Sequence, residues 1–350
     1  MAKQEKRLSV VWLCLEWPGE EHRGGVARYA YRLARELAPL VELTIVTEAG
    51  GDPLPGARMM YVPASSSRLS RYYGQALRLR RVVRSLGDVD VVHSFGDDWA
   101  LGRGPWRRVR HFLGLSLSEA RSSRGLRRLN HYVLAALEKY SQWRADYRIA
   151  IGPESYEAFR CEAIMPPVVA VPAVDVAKTA EPTVVFVGSH GGRKRGRLAE
   201  EAVEKVRAAT GRQVQLIVFG PDEDAAHWSP LTVHRAGASD DEVHTAIAAA
   251  WALLSPSEYE GFGIPIFEAS ALGTAVIATP NPGSRYQADV LTERSGLVLV
   301  DSPDELAAAL ESRLDAGPEL SATQQEAGRA GVSALLADAS VARLLDEAYR

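Results

Sequence analysis

Runs of apolar, largely β-branched residues alternate with amphipathic stretches through the first half of the chain, at 8–15, 26–40, 42–47, 69–86 and 89–93. Short continuous apolar runs read as strands buried on both faces, and the i, i+3, i+4 patterns between them read as helices. That rhythm predicts βαβ units and a mainly parallel sheet. A second series occupies 183–187, 198–209, 213–219, 241–250, 252–254, 264–272, 275–278 and 297–300, predicting a second doubly wound α/β domain. Between the two lie Pro166, Pro167, Pro172 and Pro182, where proline forbids helix continuation, so a linker is expected near 167–181. The expected domains are 1–172 and 173–329. The segment 330–350 reads as a helix, with apolar Val332, Leu335, Leu336, Val341, Leu344 and Leu345, that is expected to pack back on the first domain.

Two domains suit 350 residues, and 46% hydrophobic against 24% charged residues is the balance of a globular protein. The net charge of −3 hides an asymmetry: residues 1–172 hold 26 Lys and Arg against 18 Asp and Glu, the remainder 15 against 26. Much of the basic excess sits in two Arg-rich stretches, 68–84 and 103–128, which suit an anionic acceptor or peripheral contact with an anionic membrane, unless they are simply solvated helix faces. Arg71, Arg78 and Arg81 recur there at helical spacing. Arginine without interleaved aromatic platforms argues against a nucleic-acid partner. Cys14 and Cys161 have neither disulfide-framework nor metal spacing, which fits a reducing cytoplasm. The run 8–15 follows three cations, yet no small-x-small cleavage site follows it, and no stretch approaches the ~20 apolar residues that cross a bilayer. The expected location is therefore cytoplasmic, with any membrane contact at the inner face.

The chemistry concentrates in 255–283, SPSEYEGFGIPIFEASALGTAVIATPNPG. A strand ending at Leu254 runs into Gly261-Phe262-Gly263, which opens a helix near Pro265. Glycines let backbone amides approach a ligand, and proline sits without cost in a first helical turn. Such a helix start suits a phosphate. Glu260 and Glu268 are placed to address two parts of one bound molecule, as the sugar and ribose hydroxyls of a nucleotide sugar require. For Glu268 alone, an acid complementing the helix dipole is the plainer alternative.

The string EGFGIPIFEASALGTAVIAT resembles the donor-site motif of the retaining family-4 glycosyltransferases of GT-B fold, in which two Rossmann-like domains face one another across a cleft. Looser likenesses follow in family order at 10–38, 89–96, 145–156, 186–188 and 296–310. The resemblance implies an acceptor-side first domain and a nucleotide-sugar donor domain. It implies that Glu260 binds the donor sugar, Glu268 the ribose, and the Gly261, Phe262 and Gly263 loop the donor. A basic pair after the first donor-domain strand holds the diphosphate in that family. Here the segment GSHGGRKRG departs from the common pattern, with Ser189 after Gly188, and the pair is assigned to Arg193 and Lys194, with Arg195 as substitute if the register slips. Gly24 and Gly25 are expected to face the donor phosphates. His111 resembles the acceptor-domain histidine over the reacting sugar, with His93 as rival, and Asn281-Pro282-Gly283 fits a loop touching the donor.

What the resemblance implies is transfer of a sugar from a nucleotide-sugar donor to a hydroxyl acceptor on a glycan, a lipid-linked glycan or a small molecule. Attack and departure occur on one face, with no metal and no cofactor beyond the co-substrate. Two D-x-D strings, 88–90 and 222–224, suit strand edges and loops better than a metal. The alternatives are a sugar-nucleotide epimerase or hydrolase on the same scaffold, and a non-catalytic protein that binds an anionic surface.

Overall fold

The computed structural model describes residues 7–19, 25–65, 67, 70–122, 125–168 and 171–350. The chain forms two compact units: Met1–Val169 together with Asp338–Arg350, and Ala170–Ala337.

The sheet of the first unit contains β1 (Ser9–Leu13), β2 (Glu42–Glu48), β3 (Arg58–Val62), β4 (Val91–Ser94), β5 (Arg107–Phe112), β6 (Tyr147–Ala150) and β7 (Ala163–Ile164), in the order β3-β2-β1-β4-β5-β6-β7. All its pairings are parallel. Its helices are α1 (Gly25–Leu37), α2 (Gln75–Ser85), α3 (Ser116–Ser122), α4 (Gly125–Arg144) and α5 (Pro153–Phe159). Val11, Leu13, Val46, Val62, Leu79, Val83 and Val92 form a core between the sheet and α2. The central strands β1 and β4 are buried on both faces because helices cover both.

The second unit repeats the plan with β8 (Thr183–Val187), β9 (Gln215–Phe219), β10 (Thr232–Arg235), β11 (Ala252–Ser255), β12 (Ala275–Ala278) and β13 (Leu297–Leu299), ordered β10-β9-β8-β11-β12-β13, again all parallel. Its helices are α6 (Gly196–Thr210), α7 (Asp240–Ala249), α8 (Ile264–Ala271), α9 (Pro282–Leu291), α10 (Pro303–Asp315) and α11 (Ala322–Asp338). Ser239 with Glu242 and Asn281 with Ser284 form capping boxes that start α7 and α9. In each sheet the order reverses once, between β1 and β4 and between β8 and β11. Ligands of such folds bind beyond the strand C-termini at that reversal.

Several expectations need correction. The helix expected over 330–350 is two pieces: α11 ends at Asp338, Ser340 turns extended (φ −80°, ψ 146°), and a short helical stretch resumes at Val341. The last residues do belong to the first unit. Trp12 Nε1 donates to the Tyr349 hydroxyl (2.9 Å), and Arg32 to the Ala339 carbonyl (3.1 Å). The Arg-rich stretch 103–128 is also not a uniform basic surface. Arg108 and Arg110 lie in β5, are buried, and pair with buried Asp98 at 3.2 and 3.3 Å. A parallel strand covered on both faces has no solvent side for its alternate residues.

Candidate active site

The loops after β8 and β11 flank the reversal point of the second sheet. Gly188 leaves β8 at φ +153°, and a Cβ there would lie 2.9 Å from Lys194 Cγ, so the position needs glycine for conformation and space. A short 3₁₀ turn, Gly192–Lys194, follows, and Arg195 enters α6 in the left-handed region (φ 51°). The amides of Gly196 and Arg197 donate to the Ser189 and His190 carbonyls, closing the start of α6 on its own loop. Arg195, the substitute if the register slips, is engaged with the neighbouring loop. Its Nε donates to the Pro256 carbonyl (2.7 Å) and its guanidinium to Thr279 Oγ1 (3.0 Å), tying the two loops together.

Glu260 is the hub. Its Oε2 accepts from Arg193 (2.8 Å), and its Oε1 pairs with Lys194 Nζ (2.5 Å) and accepts from Ser257 Oγ (2.9 Å). Its side chain is 8% exposed, that of Lys194 21% and that of Arg193 55%. Burial pushes the Glu260 carboxyl up, but the Lys194 and Arg193 charges, with hydrogen bonds from Lys194 and Ser257, hold it below the ordinary glutamate range. The three residues expected to act separately on a donor are thus assembled into one cluster of net charge +1.

The loop leading to α8 is held from the side of α9. Gly283 N donates to the Glu260 carbonyl (2.9 Å), and Gln287 Nε2 donates to the carbonyls of Phe262 (2.6 Å) and Gly263 (2.9 Å). Asn281 Nδ2 donates to the Ser257 carbonyl (3.1 Å), so Asn281-Pro282-Gly283 supports the loop as well as starting α9. Gly263, at φ +88°, precedes α8, which begins at Ile264 with Pro265 second and no side-chain cap. Pro265 has no amide hydrogen and the Ile266 amide donates to the Gly263 carbonyl (3.0 Å), so what this helix start offers an anion is its dipole and the remaining first-turn amides. Glu268 lies in the second turn of α8, 3.3 Å from His244 Nε2 of α7. Nothing local in the chain marks His244, a histidine on an ordinary amphipathic helix.

In the first unit, His111 sits near the end of β5 with no exposed surface. Its ring stacks on Phe95 (5.1 Å) and His93 (5.7 Å) and meets Tyr29 edge-on (5.5 Å). Burial, and then the Arg110 charge, pull it down to about 3 against the opposing pull of the Met165 carbonyl, so the ring is neutral near pH 7. His93, the rival, is equally buried and bonds the Tyr349 hydroxyl through Nδ1 (2.8 Å). Asp97, unremarked in the sequence, follows β4 with a left-handed backbone (φ 54°), and burial pushes its carboxyl up to about 6 against the Arg110 charge. Gly25 opens α1, while Gly24 lies outside the described residues. Of the D-x-D strings, Asp90 Oδ2 accepts from Ser9 N (2.8 Å) and Asp224 Oδ2 from His190 N (2.7 Å), so each braces the backbone of a neighbouring segment. Among the described residues no group of three or more His, Cys, Asp or Glu is arranged to hold a metal.

Residues 181–316 match the model of glycosyl transferases group 1, and residues 23–178 that of Glycosyltransferase Family 4, between them most of the chain. The chain belongs to the group 1 and family 4 glycosyltransferases. Similar solved structures include sucrose-phosphate synthase from Thermosynechococcus elongatus, at 18% identity over 98% of both chains with a TM-score of 0.69. WaaG, a glycosyltransferase involved in lipopolysaccharide biosynthesis, is 18% identical over 97% of this chain and 98% of its own, TM-score 0.70. Anabaena HepE in complex with UDP and glucose is 14% identical over 97% of this chain and all of its own, TM-score 0.70. No curated protein sequence matches the chain. At these identities the structural likeness carries the fold, and the glycosyltransferase has two parallel-sheet domains of GT-B type. Arg193, Lys194, Glu260 and Glu268 of this glycosyltransferase fall within the group 1 match, and His111 within the family 4 match.

Proposed function

We propose that this glycosyltransferase takes a nucleotide sugar at the reversal point of its second sheet and moves the sugar to a hydroxyl acceptor with retention and without a metal. The observation that carries the reading is the Arg193, Lys194 and Glu260 cluster beside the uncapped start of α8. A diphosphate gains charge as the glycosidic bond breaks, and two side-chain cations and a helix start supply the stabilisation a divalent ion would otherwise give. Glu268, steadied by His244, accepts from the ribose hydroxyls. Glu260 accepts from a sugar hydroxyl. The bond between the anomeric carbon and the phosphate oxygen breaks, the acceptor oxygen bonds that carbon on the same face, and the acceptor's proton passes to the departing phosphate oxygen. His111 enters through its neutral ring or its carbonyl, and not as an imidazolium acid, because burial keeps the ring in its neutral form, with a single N–H, near pH 7. The second unit is the donor domain in this reading and the first the acceptor domain, working on the cytoplasmic side.

A UDP complex of HepE and a complex of the trehalose protein from E. coli with UDP-2-fluoro glucose, both of this fold, favour a UDP-sugar as the first donor to test. The test is nucleotide release and binding with UDP-, GDP-, ADP- and TDP-sugars in EDTA, for the wild type and Glu268→Ala. One donor bound or slowly hydrolysed without metal, and more weakly by the variant, supports the reading. Turnover that requires a divalent ion sinks the metal-independent part, and an inverted anomeric product sinks retention.

A further inference from the structure

Helix α4 runs for 20 residues, and its outward side is apolar along its whole length. Leu126, Leu129, Tyr132, Val133, Tyr140 and Trp143 are exposed, Leu126 to 86% and Trp143 to 70%. At 100° per residue these six fall within about a third of the helix circumference, in a stripe about 25 Å long. An apolar stripe of that length on a globular protein marks a surface that meets something. Arg128 and Lys139, both exposed, fall along one border of the stripe at the same helical spacing. The only acid in 125–144 is Glu138, which faces α3 and accepts from the amide and hydroxyl of Ser116 (3.1 and 2.7 Å).

That distribution selects the occupant. A second copy of α4 would set cations against cations in parallel pairing, and against Asn130 or Ser141 in antiparallel pairing, with no carboxylate to answer them. An anionic bilayer answers both features. Leucine and valine enter the acyl boundary, tyrosine and tryptophan sit at the headgroup level with their polar edges in water, and the bordering cations meet lipid phosphates. We propose that α4 seats the protein on an anionic membrane surface, lying in the interface through its Leu126–Trp143 stripe. Within the Arg-rich stretch 103–128, Arg108 and Arg110 are turned into the fold and take no part, whereas Arg128 stands on the border of the stripe.

The test is co-sedimentation of the full chain with vesicles of phosphatidylcholine alone and of equal parts phosphatidylcholine and phosphatidylglycerol. The wild type is expected to bind the mixed vesicles, less so as salt rises. A Leu126→Ser/Leu129→Ser/Trp143→Ser variant is expected to lose about tenfold or more in binding. These side chains are exposed, so its melting temperature and circular dichroism should match the wild type, and donor turnover without vesicles separates this proposal from the donor-site reading. Failure of the wild type to bind mixed vesicles, or undiminished binding by the triple variant, overturns it. So does a wild-type dimer in light scattering that the same substitutions turn into a monomer.

Discussion

Replacing Glu260 with glutamine keeps the volume of the side chain and an acceptor for Ser257 while removing the charge shared by Lys194 and Arg193. The bond to Lys194 is charge-assisted and largely buried, and is worth about 1.5–3 kcal/mol. Arg193 is more than half exposed, so solvent screens its share to at most about 1 kcal/mol. The variant also leaves the Lys194 ammonium without its counter-charge. The expected loss is about 2–4 kcal/mol, short of the full cost of breaking a wholly buried pair because Arg193 and Lys194 can turn to water. The sign with pH follows from the depressed carboxyl. Its contribution is present in full above the unfolded value of about 4.3 and is lost as pH falls through the lower folded value. Urea unfolding followed by tryptophan fluorescence, which sees Trp228 and Trp251 of the second unit, should show the variant weaker by a constant margin at pH 6–8 and a margin that closes in stronger acid. A variant as stable as the wild type or more so would mean that desolvation outweighs the pairing. A margin indifferent to acid would mean that charge is not what the cluster contributes.

Gly283→Ala tests the bracing of the donor loop, since a Cβ there would lie 2.5 Å from the Phe262 carbonyl, backbone that cannot swing aside. It should cost about 1–3 kcal/mol and weaken nucleotide binding in a fluorescent-nucleotide displacement assay, whereas Gly191→Ala, with open space at its Cβ, should do neither. The buried histidines predict acid sensitivity of the opposite chemical kind: with folded values far below 6.5, His93 and His111 are protonated first in the unfolded chain, so stability falls as pH drops from about 6.5 towards about 3. His111→Gln should flatten the melting temperature across that window, and an unchanged slope would count against a buried neutral ring.

How much of this was legible in the sequence depended on the distance over which the pattern was read. The loop and helix at Gly261–Glu268 follow from local chemistry, because glycine, proline and the strand before them each act within a few residues. Arg193, Lys194 and Glu260 were legible as candidates but not as partners, since their pairing depends on β8 and β11 being neighbours in the sheet. His244 left no local signal, because what marks it is Glu268 on another helix. The Arg-rich stretch 103–128 was legible as charge but not as surface: counting charge does not say where a side chain points, and in β5 two arginines close on Asp98 instead of water. Strands β3 and β10 went unread because 58–62 and 232–235 mix charged and apolar residues, as sheet-edge strands do. In α4 the i, i+3, i+4 spacing is that of a helix facing a core, and only the structure shows the stripe turned outward.

The donor cluster has a chemical limit built into it. A carboxylate offers about four lone-pair sites, and Glu260 already receives Arg193, Lys194 and Ser257. On the proposed reading, one sugar hydroxyl takes the remaining site, and any second one must displace a partner. Ser257 is buried and fixed by its place on the loop, and Lys194 is mostly covered, so the partner best placed to leave is Arg193, with over half its side chain in solvent, although it also donates to the Tyr259 carbonyl (3.1 Å). The direction of that exchange suits the reaction. On this reading a guanidinium released from Glu260 would turn its charge, no longer offset by the carboxylate, toward a diphosphate as the sugar arrives, while Lys194 keeps the carboxylate ionised and accepting. On that reading the two cations divide the work by exposure: Lys194 holds the glutamate, and Arg193 meets the leaving group.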